Sequence, residues 1–196
     1  MSESKPAHRA WQLLLIVGTI GFSWLALQAV HEMGHVLHAR LSGGTVNEVV
    51  LRPTTLSQTV VDPNPHPCFV AWGGPIWGCL IPLAMWAVVW LVAHRYAFLA
   101  QFFAGACLVA NGTYLGTSVI IGGRHLDGPV ILAQGGSAWQ VLLFSIVAMA
   151  AGLYLWNGLG PHFGLGKSTN QVDHRATFVI VVLLILVVIL EYAFAP

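Results

Sequence analysis

The sequence predicts an all-α polytopic membrane protein with about five transmembrane helices and a short β-hairpin or small sheet between the first two. Of its 196 residues, 57% are hydrophobic and only 8% are charged. A soluble domain needs about 25% charged residues to cover its surface, so lipid is the expected solvent. The formal net charge of +1 gives no electrostatic footprint for nucleic acid. We expect an integral, multi-pass protein, in the cell membrane if the source is prokaryotic.

Uncharged apolar runs define the predicted helices, because a bilayer crossing needs about 20 apolar residues. The first run, Trp11 to Val30, continues with helical composition to Leu41, and Gly43-Gly44 is a natural stop. This helix should be longer than the hydrocarbon layer is thick. The later runs are Phe69–Ala93, Tyr96–Gly123, Ser137–Leu159, and Ala176–Leu190 extended to Phe194, with a short apolar piece before Gly135-Gly136. Four or six crossings are the alternatives to five.

The segment between the first two helices has a different composition. Thr45–Arg52 and Thr54–Val61 are short stretches rich in β-branched residues, separated by Pro53 and followed by Asp-Pro-Asn-Pro at 62–65. This pattern predicts a β-hairpin or two short strands. Such a backbone is stable at membrane depth only where protein or water shields it.

Lys and Arg residues favour a cytoplasmic N-terminus. Five of them would lie on the N-terminal side of the membrane and three on the other. The five are Lys5, Arg9, Arg95, Lys167 and Arg175, and the three are Arg40, Arg52 and Arg124.

The first helix carries His31-Glu32-Met33-Gly34-His35 at its membrane-embedded end. Positions i and i+4 of a helix share one face about 6 Å apart, so His31 and His35 can bind one Zn²⁺. Glu32 can reach the remaining metal position and take a proton from a metal-bound water, whose pKa the metal lowers to about 7. Ionisable groups inside a membrane are costly and therefore functional by default. We predict a zinc site with a glutamate base.

His38 extends the pattern, but it lies about 10 Å further along the helix axis than His31. We expect a polar residue at the helix exit and no metal ligand there.

Zinc needs a third protein ligand, and Asp127 is the only aspartate between Asp62 and Asp173. Glycines at 122, 123 and 128 and Pro129 should break the helix and bend the chain toward the metal. Capping of a helix that starts near Pro129 is the alternative role for Asp127. Beside the histidine motif we predict the ligand role, with His125 as the reserve ligand.

Together these residues resemble the site-2 proteases, a family of intramembrane zinc metalloproteases. Like that family, the chain has HExxH on one helix, a β-segment after it, Gly74-Pro75 in the next helix, and Leu126-Asp127-Gly128 downstream. The resemblance covers roughly Trp11 to Leu132. It implies one zinc ion per chain bound by His31, His35 and Asp127, with Glu32 as catalytic base.

The sequence departs from the family pattern at two places. The family's Gly-Pro motif usually ends in asparagine, where this chain has Gly78. The family's Asn-x-x-Pro stretch before Leu-Asp-Gly is also missing, and Asn111 lies too far upstream to be equated with it. Since these asparagines are thought to position substrate, the departures concern substrate handling rather than the metal.

The resemblance also implies a domain organisation and partners. Residues 1–10 would be an N-terminal tail, 11–134 the catalytic membrane core, and 135–196 two additional transmembrane helices. The expected partners are the lipid bilayer and a membrane-embedded protein substrate, most simply one with a single span. No loop is long enough for a soluble sensing domain, so recognition lies in the membrane domain or in a separate regulatory partner. An exposed edge strand in 45–61 could bind an unwound substrate segment by strand addition.

Two other functions remain open from the sequence. One is a catalytically inactive or scaffolding membrane protein with structural zinc, although such a site has no need of Glu32. The other is a membrane di-iron hydroxylase, which needs about eight clustered ligands. The remaining histidines in the membrane regions and loops stand singly: His66, His94, His125, His162 and His174.

Overall fold

The computed structural model describes residues 5–123, 126–166 and 172–193, with side chains from His8 onward. Within these residues, six α-helices and a two-stranded sheet follow one another along the chain. They are α1 (Lys5–Leu41), β1 (Val46–Val50), β2 (Gln58–Val61), α2 (Pro67–Val92), α3 (Ala97–Ile121), α4 (Asp127–Ala133), α5 (Ala138–Trp156) and α6 (His174–Ala193). Single 3-10 turns at His94–Tyr96 and Gly160–Phe163 precede α3 and follow α5. The fold class predicted from the sequence is confirmed.

Five of the helices in the described residues are long and apolar enough to cross a membrane: α1, α2, α3, α5 and α6. The predicted number of crossings is therefore correct. α1 has 37 residues, which corresponds to about 55 Å and exceeds the thickness of the hydrocarbon layer. The histidine motif lies in the last third of this helix. Of the Lys and Arg residues counted for orientation, Arg124 and Lys167 lie outside the described residues.

Helices α1 and α2 cross at a point where glycines bring their backbones together. A Cβ added to Gly34 would collide with the carbonyl oxygen of Gly73, and one added to Gly73 would lie 2.5 Å from the carbonyl oxygen of Gly34. No side chain fits between the two helices at this level. The crossing therefore fixes the motif of α1 against Gly73-Gly74-Pro75 of α2.

The remaining spans pack around this pair. α3 packs against α5 through another glycine contact, since a Cβ on Gly152 would lie 2.7 Å from the carbonyl oxygen of Gly105. α6 packs against α1, where Leu15 and Ile180 are fully buried in a shared core. α2 also contacts α3. Helices α1, α2 and α3 thus form the centre of the bundle.

β1 and β2 pair antiparallel, with Val46 opposite Val61 and Val50 opposite Gln58. The predicted hairpin is confirmed, but its strands are shorter than the predicted stretches. Gln28 of α1 explains the difference. Its side chain donates to the carbonyl oxygen of Arg52 and accepts from the backbone N–H of Ser57, which provides partners that a longer ladder would otherwise supply.

A glycine break separates α3 from α4. Gly122 ends α3 with φ of +73°, and Gly123 follows with φ of +128°, both conformations that favour glycine. α4 then begins at Asp127. The break that the sequence predicts is present, and it turns the chain back toward α1.

Candidate metal centre

The two histidines of the motif lie on one face of α1, as their spacing predicts. His31 Nε2 and His35 Nε2 are 3.1 Å apart, and the rings meet edge to face with centroids 4.8 Å apart. Their side chains are about nine-tenths buried. The Nε2 atoms of the two rings therefore point toward the same buried position.

Asp127 of α4 completes this cluster. Its Oδ2 lies 3.1 Å from His31 Nε2 and 3.4 Å from His35 Nε2. Asp127 is the first residue of α4 rather than the residue before it, and its carboxylate faces the histidines. Among the residues that the structure describes, these three form the group whose spacing can hold a metal ion, with ligand atoms within 4.8 Å of one another. The reserve ligand, His125, lies outside the described residues.

The outer nitrogens of both rings are held by oxygen acceptors. His31 Nδ1 lies 2.6 Å from Asn111 Oδ1, and His35 Nδ1 lies 2.8 Å from the carbonyl oxygen of Val70. Neither oxygen can donate, so each Nδ1 carries the proton. In the neutral rings, each Nε2 therefore presents a lone pair to the cluster.

These tautomers make the donor set suitable for a cation. With both rings neutral, two imidazole lone pairs and a carboxylate oxygen converge at hydrogen-bonding distance, and a cation between them would offset their mutual repulsion. Two neutral histidines and a carboxylate, each histidine bound through its other nitrogen to a carbonyl oxygen, form a typical zinc ligand set. The residues present fit the metal that the motif predicts.

Gly74 of α2 leaves room beside the cluster. A Cβ added there would collide with His35 Nε2 and lie 2.5 Å from His31 Nε2. Any larger residue would occupy the space onto which the ligand atoms converge. The Gly-Pro motif thus places bare backbone next to the candidate metal position.

Glu32 lies beside the cluster and is 5% exposed. Its Oε2 accepts a hydrogen bond of 2.6 Å from Thr59 Oγ1 of β2. The β-hairpin therefore contacts the predicted base directly, a relationship that the sequence does not reveal.

Two cavities meet at the motif. One, of about 340 Å³, is lined by the three cluster residues, by Glu32 and by the whole of β2. The other, of about 290 Å³, lies between α1 and α3, and its walls include Leu27, Leu56 and Ala110. His31 and Glu32 border both cavities. The two cavities therefore adjoin at the first two residues of the motif.

Three other histidines in the described residues make contacts away from the cluster. His38 stacks on Phe69 with ring centroids 4.0 Å apart, and its Nδ1 bonds to the Phe69 carbonyl oxygen at 2.6 Å. It joins α1 to α2, away from the candidate metal position. His94 and His162 contact the rings of Trp90 and Phe98. These histidines lie apart from one another, so they do not support a di-iron site, which needs many clustered histidine ligands.

Sequence reasoning missed two residues of α3 that contact the cluster. Asn111 bonds to His31, and the Tyr114 hydroxyl accepts a hydrogen bond of 3.3 Å from the backbone N–H of Asp127. The sequence feature that could have indicated them is Asn111, an amide side chain in a largely apolar helix, three residues before Tyr114.

Comparison with known protein families agrees with this geometry. A profile of the Peptidase M50B-like family matches residues 10–121. The chain belongs to this family. The match includes the histidine motif, the hairpin and Asn111, and it ends before Asp127. No curated protein and no solved structure matches the chain significantly.

Family membership and five spans make the chain an integral, multi-pass membrane protein. They support a membrane metallopeptidase, in agreement with the resemblance to site-2 proteases. The His31, His35 and Asp127 cluster is the candidate metal centre of this M50B-like protein.

Proposed function

We propose that the protein is an intramembrane zinc metalloprotease that hydrolyses peptide bonds of membrane-embedded protein substrates. The observation that carries this proposal is the convergence of His31 Nε2, His35 Nε2 and Asp127 Oδ2 in a cavity that Glu32 also lines. A structural metal site has no need of a carboxylate base or of an open cavity.

His31, His35 and Asp127 would hold one zinc ion. When bound, zinc would supply Lewis-acid polarisation of a water molecule and of the scissile carbonyl group. The protein's own contribution begins with orientation, because the bonds from Asn111 and from the Val70 carbonyl hold both imidazoles with Nε2 toward the centre.

Glu32 would move the proton. Thr59 holds Oε2 through a hydrogen bond, which favours Oε1 as the oxygen that accepts a proton from the attacking water. The same oxygen would then deliver this proton to the amide nitrogen of the leaving segment. The burial of Glu32 limits competing access by bulk water.

The two cavities support a membrane protein substrate, most simply one with a single span. A helical segment protects its peptide bonds by internal hydrogen bonding, so the substrate must be extended before hydrolysis. β2 lines the cluster cavity and pairs with β1 through one edge, so its other edge can bind an extended segment by strand addition. The apolar walls between α1 and α3 suit an apolar substrate side chain.

The test is co-expression of the protein with candidate single-span substrates, comparing wild type with Glu32→Gln. We expect fragments only with wild type, because glutamine cannot accept the proton. Equal processing by both proteins would refute the protease. Proline or charged substitutions along β1 and β2 test the strand hypothesis separately, and unchanged cleavage in all of them would eliminate it.

A further inference from the structure

We propose that Asn111 is a positioning residue that fixes His31 as a metal ligand, and that Gly78 provides the space in which its carboxamide lies. This inference rests on the proposed metal site. Asn111 lies on α3 and contacts His31 at Nδ1, the ring nitrogen that faces away from the candidate metal position.

The orientation of the Asn111 amide is determined by its own helix. Asn111 is 2% exposed, and its Nδ2 donates to the carbonyl oxygen of Cys107, one turn earlier, at 2.8 Å. With the amino group engaged there, Oδ1 is the atom directed at His31. The 2.6 Å contact with His31 Nδ1 therefore has Asn111 as acceptor.

An acceptor at this position selects one tautomer of His31. Nδ1 must carry a proton, so in the neutral ring Nε2 is unprotonated and faces Asp127 and His35. Without the acceptor, the proton could move to Nε2, where it would occupy the lone pair needed for the metal. The bond also restrains rotation of the ring and increases its basicity, which are the usual effects of a partner behind a metal-binding histidine.

Gly78 of α2 makes this arrangement sterically possible. A Cβ added at Gly78 would lie 2.7 Å from Asn111 Nδ2 and 2.8 Å from Oδ1. Even alanine would therefore displace the carboxamide. Because Gly78 has no side chain, the carboxamide of Asn111 can occupy the space next to it.

Tyr114 shows that α3 supports the ligand set at two points. It lies three residues after Asn111, on the same face of the helix, and its ring meets that of His31 edge to face. Its hydroxyl bonds to the backbone of Asp127. One helix thus contacts both the first and the third predicted ligand.

The first experiment compares zinc affinity in detergent micelles for wild type, Asn111→Leu and Asn111→Asp. Leucine has similar volume and no acceptor, so we expect affinity to fall by about 10- to 100-fold. Aspartate keeps an acceptor for His31 but loses the donor to the Cys107 carbonyl oxygen, so we expect a smaller loss of affinity than with leucine. The matched control is Gln101→Leu, which removes another α3 amide that bonds to a carbonyl oxygen, that of Leu155, and should leave zinc affinity unchanged.

Gly78→Ala tests whether the Asn111 carboxamide needs the space beside Gly78. We expect a similar loss of zinc affinity in the wild-type background and no further loss when Asn111 is already leucine, because the two changes disturb one interaction. Gly21→Ala is the control, since its Cβ would meet only a leucine side chain at 3.5 Å.

A measurement on the wild-type protein needs no variant to fold. With ¹¹³Cd bound and histidines labelled with ¹⁵N, we expect scalar coupling from the metal to Nε2 of His31 and a protonated Nδ1. Coupling to Nδ1 would overturn the inference. So would equal affinities for wild type and Asn111→Leu, or equal losses for Asn111→Leu and Asn111→Asp.

These outcomes separate the inference from the proposed function. If zinc binds and depends on Asn111 but no substrate is cleaved, the protease is refuted and the role of Asn111 stands. If zinc binds equally well without the Asn111 acceptor, only this inference fails. If wild type binds no zinc, both the metal site and the inference are overturned.

Discussion

Thr59 Oγ1 of the hairpin donates a hydrogen bond of 2.6 Å to Glu32 Oε2 of α1. The same hydroxyl lies 3.4 Å from the backbone carbonyl oxygen of Glu32. The hairpin therefore does more than line the cavity, because it contacts the proposed catalytic base. A substrate segment that pairs with β2 would be held by the strand that also orients the carboxylate.

Replacing Thr59 should therefore affect catalysis more than binding. In Thr59→Val the shape and β propensity are kept but the hydroxyl is lost, and we expect kcat to fall roughly 10-fold with KM little changed, since hydrogen bonds to charged groups contribute about 1.5–3 kcal/mol. Thr59→Ser should restore most of kcat. Steady-state cleavage of a reconstituted substrate measures both constants, and a Thr59→Val protein with wild-type kcat would contradict the role.

Gly74→Ala should weaken the metal site. The added Cβ would meet both Nε2 atoms of the cluster, so the histidines or α2 must shift. Displacing a reacting group by about 1 Å can cost on the order of 100-fold in rate, and we expect a proteolysis loss of that size together with weaker zinc binding.

The control for Gly74→Ala is again Gly21→Ala in α1. Zinc affinity and cleavage are measured on the same detergent-purified samples. Wild-type values for Gly74→Ala would show that the space beside the ligands is not needed.

Gly34→Ala tests the crossing of α1 and α2. Gly34 lies inside the histidine motif, and a side chain there would collide with the Gly73 carbonyl group. The helices would have to separate, at a cost of about 1–3 kcal/mol in the free energy of unfolding, as for other overpacked interiors. Thermal unfolding in micelles measures the loss, and a variant as stable as Gly21→Ala would refute the close crossing.

The sequence was sufficient for the features that depend on local pattern. Apolar run length predicts the five spans, and the i, i+4 spacing predicts that His31 and His35 share a face. The glycines at 122 and 123 indicate the break that brings Asp127 to the cluster, as the structure shows.

The features that the sequence could not reveal depend on how helices cross. Asn111 and His31 are 80 residues apart, and their contact exists only because α1, α2 and α3 pack at one level, with Gly78 leaving the space. The shortened second strand has a similar origin. Gln28 of α1 binds the turn at Arg52 and Ser57, a tertiary contact that overrides the β-branched composition.

The ion pair between Arg95 and Asp173 gives a pH-dependent prediction outside the membrane centre. Asp173 Oδ2 accepts from Arg95 Nε at 2.5 Å, and Oδ1 accepts from the backbone N–H of Arg175 at 2.9 Å. The bond from Arg95, aided by the backbone N–H groups at the start of α6, lowers the pKa of Asp173 despite the opposing effect of partial burial. The folded protein therefore keeps this carboxylate ionised at a lower pH than the unfolded chain does.

Because the pKa of Asp173 is lower in the folded protein than in the unfolded chain, ionisation of Asp173 stabilises the fold. The stabilisation is fully present above the unfolded pKa of about 3.9 and is lost as the pH falls through the lower pKa of the folded state. Asp173→Asn removes the charge while keeping a residue that caps helices well. Wild type should be slightly more stable than Asp173→Asn near neutral pH, and the difference should vanish in acid and shrink with added salt, because Arg95 is half exposed. Unfolding in micelles across this pH range measures the difference, and a difference that does not change with pH would rule out the ion pair as its source.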